Sequence, residues 1–105
     1  MSEKPQAHNQ FLTEFPDIAA AYEQMATAVH DNGPLDNKTR QLVKLGLAIG
    51  LGHEGAVHAH TRRALADGIS AAEIKHVVTL AVTTLGMPNT IAAYTWVNDV
   101  LEGRR

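Results

Sequence analysis

Leu45-Gly46-Leu47-Ala48-Ile49-Gly50-Leu51 follows Asp36-Asn37-Lys38-Thr39-Arg40-Gln41-Leu42-Val43-Lys44 with neither a proline nor strand-like alternation. Asp36 is placed as an N-cap. The polar residues Lys38, Arg40, Gln41 and Lys44 all fall in the first half of a helix that runs to about Gly52. The second half has no polar face. A helix that is apolar all round is buried all round, and a chain of 105 residues can hardly surround one alone. The run therefore predicts contact with a second copy. Gly46 and Gly50, spaced by four, put two positions without side chains on one face, where another backbone can approach closely. Each costs roughly 1 kcal/mol against Ala in a soluble helix, a cost that packing must offset.

Helical punctuation continues on both sides of this stretch. Upstream, a short helix around Asn9–Glu14 carries Phe11 and Leu12, and Pro16 opens a helix to about His30 with Ile18, Tyr22, Met25 and Val29 on one face. Asp31-Asn32-Gly33-Pro34 stops it. Downstream, a helix from about Glu54 to Asp67 ends at Gly68. Ser70-Ala71-Ala72-Glu73 has the pattern of a capping box, opening a helix whose inward residues run from Ile74 to Leu85 before Gly86. Pro88 starts the last helix, with Ile91, Tyr94, Val97 and Leu101 as its apolar stripe. The expected fold is all-α, a compact single domain over residues 1–105 built from about five to six helices.

Composition excludes several function classes. The chain is 45 % hydrophobic but only 5 % aromatic, so its apolar mass is close-packing aliphatic rather than a platform for stacked bases. A net charge of −2 offers no basic field for nucleic acid or an anionic membrane. Cysteine is absent, which removes disulfides, thiolate metal sites and thiol redox chemistry. Residues 1–6 carry no apolar leader pattern and the longest apolar run is far short of a span of roughly 20 residues. The expected location is cytoplasmic.

Three of six histidines lie in Gly52-His53-Glu54-Gly55-Ala56-Val57-His58-Ala59-His60. His53 and His60 share a helix face but stand about 10 Å apart along the axis, too far to share a metal unaided. His58 and His60, two apart, point to nearly opposite sides of the helix. No metal site is expected from these pairs. Glu54 and His58 have the spacing of an exposed one-turn pair. His60 falls on the apolar stripe with Val57 and Ala64, while His58 is expected on the polar side with Arg62. His53 reads as an exposed helix-start residue, and His8, His30 and His76 as surface residues. A half-buried imidazole at 60 is either a satisfied interface residue or a functional one, and the residues alone leave both open. Arg40, Lys44, Arg62 and Arg63 are candidates for anion recognition.

The order and spacing of Leu35-Asp36-Asn37-Lys38-Thr39-Arg40, the apolar run to Gly52, His60 with Ala64 and Gly68, Ala72-Glu73-Ile74 and Gly86-Met87-Pro88 resemble the carboxymuconolactone decarboxylase family, related to the alkyl hydroperoxidase D-like proteins. The match covers about 35–100, with 1–34 as additional N-terminal helices. The resemblance implies a helical-hairpin unit that assembles as dimers, trimers or hexamers, with its site near the interface between helices and subunits. In the hydroperoxidase branch a Cys-x-x-Cys-x-x-x-His motif reduces peroxides. Aligning its histidine on His60 puts His53 and Ala56 at the two cysteines and Gln41 at the relay glutamate, so that activity is not expected here.

The decarboxylase branch keeps a histidine at the position of His60 and needs no cysteine. The resemblance therefore implies cofactor-free loss of CO₂ from a small carboxylated lactone or related anionic organic acid. It gives His60 and Glu54 as candidate catalytic residues and Arg40, His53 and His58 as candidate substrate-binding residues. Such chemistry needs cations for carboxylates, a donor for the developing dienolate and an acid for carbon. Leu80 and Thr84 stand where the decarboxylase proper has a glutamine and a tyrosine, and His53 and His58 replace arginines. The alternative is a non-catalytic oligomeric or small-ligand-binding member of the family. A cavity beside His60 with an arginine nearby would favour the enzyme.

Overall fold

The computed structural model describes residues Gln6–Arg104, so all of the stretch 1–6 except Gln6 lies outside them. The described residues form helices α1 (Gln6–Glu14), α2 (Pro16–His30), α3 (Asn37–Leu51), α4 (Glu54–Ala66), α5 (Ala71–Leu80), α6 (Val82–Leu85) and α7 (Met87–Leu101), with no strand among them. The fold is all-α. None of these helices is long and apolar enough to cross a membrane.

The chain divides into two compact units, one holding α1 and α2 up to Leu35 and the other running from Asp36 through α7. In the first unit, Phe11 and Phe15 meet at a ring-centroid distance of 5.0 Å. Neither α1 nor α2 contains a buried residue. The stripe read along α2 is present but uncovered: Ile18, Tyr22, Met25 and Val29 are all exposed.

The second unit holds the core. The Asp36 carboxylate accepts from the Thr39 backbone N–H at 2.9 Å and so starts α3. Gly52, at φ 74°, ends it in the left-handed conformation that suits glycine. α3 and α4 form a helical hairpin, and α7 packs against α4 and α5. Leu45, Val57, Ile74 and Val97 are fully enclosed where these helices meet. Burying a side chain of this size stabilises the fold by about 1.5–3 kcal/mol. Both halves of the Ser70–Glu73 capping box form: the Glu73 N–H donates to Ser70 Oγ at 3.1 Å and the Ser70 N–H to Glu73 Oε1 at 3.0 Å.

One feature departs from the sequence reading. The helix expected to run without interruption to Leu85 breaks at Ala81, where the Ala81 N–H turns back to Val78 O at 3.0 Å. The β-branched run Val82-Thr83-Thr84 that follows is poorly suited to extending a helix, and α6 is a single turn. Within the chain, the apolar half of α3 is covered on one side only. Leu45, Ala48 and Ile49 are buried, whereas Leu47 and Leu51 are 68 % and 73 % exposed.

Candidate functional site

α4 begins at His53, whose Nδ1 accepts from the Ala56 backbone N–H at 3.1 Å. His53 is exposed and acts as the N-cap, as its position at the helix start suggests. One helical turn separates Glu54 from His58, which puts them on the same face. That face meets the C-terminal turn of α7. His58 Nε2 lies 3.0 Å from Asp99 Oδ2 and 3.8 Å from Glu54 Oε2. The other oxygen of Asp99, Oδ1, faces the Arg104 guanidinium at 3.4 Å. The hydrogen bond from His58 is the main reason that the Asp99 carboxyl is held below its ordinary value; Arg104 adds to the effect and burial opposes it.

This geometry corrects the expected helix face of His58, which is buried at 7 % exposure rather than turned to solvent. α4 is packed by α3 on one side and by α7 on another, so the flank read as polar is covered as well. His58 Nε2 is engaged by Asp99 within the chain, with the Glu54 carboxylate on its other side. Glu54 and His58 are brought together as their spacing suggests, although only Glu54 remains half-exposed in the pair. The partner that sequence reasoning missed is Asp99, 41 positions beyond His58.

His60 and Arg40 are each partly buried, the first on α4 and the second in the first turn of α3, with Lys44, also partly buried, one turn after Arg40. Gln41, at the position matched to a relay glutamate, is 4 % exposed. Its Nε2 donates to Asp67 Oδ2 at 2.8 Å, and Asn37 Nδ2 donates to the same oxygen at 3.0 Å. These bonds tie the start of α3 to the residue that ends α4, a structural use of the position.

A cavity of about 570 Å³ opens between α3, α5 and α6. Leu42, Val43, Gly46, Ile49 and Gly50 form one wall, Val77, Leu80 and Ala81 another, and Leu85 and Thr84 close the α6 end. Glu73 and His76 are among its few polar lining residues. Neither His60 nor Arg40 lines it, and Glu54, His53 and His58 do not either. The signal for this cavity was present in the sequence as the Gly46/Gly50 spacing. Gly46 has only Val77 Cγ1 near, at 3.8 Å from where a Cβ would stand, and Gly50 has nothing within 4 Å.

No curated protein matches the sequence. Among solved structures, the chain is similar to apo-lpg0406, a carboxymuconolactone decarboxylase family protein from Legionella pneumophila. The TM-score is 0.78 at 23 % identity, covering 91 % of this chain and 86 % of that one, a likeness of fold. The profile of the carboxymuconolactone decarboxylase family matches residues 16–99, most of the chain, with α2 included as well as the segment from Leu35. The chain belongs to the carboxymuconolactone decarboxylase family.

Proposed function

We propose that this protein is a self-assembling, small-molecule-binding member of its family, which holds a compact organic molecule in the cavity between α3, α5 and α6 under cover of a second copy. The cavity itself carries this reading. Its volume of about 570 Å³ is that of a small-molecule pocket, its walls are mostly aliphatic, and Glu73, His76 and Thr84 supply a few polar groups. A second copy is the cover best matched to the exposed Leu47, Leu51 and Leu80. Gly46 provides the test, because a side chain there would grow beside Val77 on the cavity wall. The probe is an apolar fluorescent dye such as anilinonaphthalene sulfonate, competed with small lactones. Gly46→Leu should reduce saturable dye binding by about tenfold or more while helicity is retained, a loss of about 1.4 kcal/mol in binding. Unchanged binding in the variant refutes the assignment.

Carboxy-lyase activity is a second reading, favoured by the partial burial of Arg40, Lys44 and His60 on the paired helices α3 and α4. In it, the bond from the carboxylate carbon to the ring breaks and CO₂ leaves. The electron pair passes into a dienolate on the lactone carbonyl, and protonated His60 returns a proton to carbon. Release of CO₂ from carboxymuconolactone that falls by about 10²–10⁴ in His60→Gln supports it. Absence of release from the intact protein leaves the binding reading alone.

A further inference from the structure

We propose that Glu54, His58 and Asp99 form a binding site for a divalent first-row transition-metal ion that joins the first turn of α4 to the last turn of α7. One ligand atom from each residue lies within 4.8 Å of the other two. Around a tetrahedral ion with bonds near 2.0–2.1 Å, ligand atoms stand about 3.3 Å apart. The His58–Asp99 and His58–Glu54 separations of 3.0 and 3.8 Å bracket that value. Glu54, half-exposed at the start of its helix, can close the remaining distance by changing rotamer.

The arrangement differs from an ordinary acidic patch in three respects. The convergent nitrogen belongs to a side chain that is nine-tenths buried, so its direction is fixed by packing. The single nitrogen Nε2 faces both carboxylates, yet a neutral imidazole has only one proton to offer there. Asp99 accepts the hydrogen bond from it, and Glu54, at 3.8 Å, is beyond hydrogen-bond reach. An ion at this point bonds all three groups, with the imidazole proton moved to Nδ1. Finally, Arg104 approaches Asp99 Oδ1 and leaves Oδ2 for the ion, the kind of outer contact that orients a ligating carboxylate. One nitrogen and two oxygens suit zinc, cobalt or manganese, with water in the remaining positions.

The test is titration of Zn²⁺, alone in a non-chelating buffer, into full-length protein previously stripped with a chelator. One ion per chain is expected, accompanied by a rise in melting temperature because the ion links two helices. Asp99→Asn and His58→Gln should abolish this binding, and Glu54→Gln should weaken it by about tenfold or more. His8→Gln, on the exposed surface of α1, should not change it. Failure to saturate at one ion per chain overturns the proposal. So does parent-like affinity in both Glu54→Gln and Asp99→Asn. If His58→Gln does not fold, Glu54→Gln decides the matter, since its exposed position leaves folding intact.

Discussion

Asp99 accepts on both of its oxygens, from His58 on one side and Arg104 on the other, and both contacts favour its charged form. Because its folded value is depressed, its contribution to stability is fully present above the unfolded carboxyl value near 3.9 and is lost as pH falls through the lower folded value. Asp99→Asn removes the carboxylate. The melting temperature of the variant should therefore lie below that of the parent at neutral pH, with the gap narrowing as pH drops below about 4. Calorimetry between neutral pH and pH 2 checks this, and a constant gap over the range rules the pairing out as its source. His58→Leu, which fills similar space without a donor, should cost about 1–3 kcal/mol at neutral pH. The Glu54–His58 pairing was legible because one helical turn is written in the sequence. Asp99 was not, because only the packing of α7 on α4 brings it there.

Among the elements, α3 concentrates the legible and the illegible. Its N-cap at Asp36, its end at Gly52 and the burial of Leu45 and Ile49 follow from local pattern. Which of its other faces is covered does not, since Leu47 and Leu51 are as apolar as the residues of the core and stand exposed. Gly50 separates the chain's own needs from those of an assembly. A Cβ at this position meets nothing within 4 Å in the chain, and alanine gains roughly 1 kcal/mol of helix propensity over glycine. Gly50→Ala should therefore leave the helical content of a dissociated chain unchanged or more stable, while weakening self-association if a second backbone approaches this face. Chemical denaturation at several protein concentrations distinguishes the two effects. A variant that is uniformly more stable at every concentration excludes close contact at Gly50. The break at Ala81 lies at the other extreme: the sequence marks Val82-Thr83-Thr84 as weak helix, but the turn that results depends on where α6 meets α7.

At the scale of the whole molecule, apolar surface is left over in each unit taken by itself. Phe11, Ile18, Tyr22 and Met25 are exposed in the N-terminal unit, and Leu47, Leu51, Met87 and Ile91 in the unit that starts at Asp36. Scattered exposed aliphatics need no explanation, but runs of large ones at helical spacing mark contact surfaces. Assembly of identical chains buries such surface without requiring any second gene product, and closed symmetric assemblies are the common outcome. Sedimentation velocity should accordingly show a dimer or larger species at micromolar concentration. Leu51, 73 % exposed, supplies the decisive variant. In a protein that works as a monomer, Leu51→Lys changes stability by no more than about 0.5 kcal/mol and leaves the sedimentation coefficient alone. In an assembly packed on this end of α3, the same lysine places a charge in an apolar contact and shifts the population toward smaller species. That shift should appear as an increased dissociation constant with little change in the circular dichroism of the chain. A wild-type monomer at these concentrations would mean that the exposed half of α3 is covered by something other than a second copy, and the pocket assignment would lose its lid.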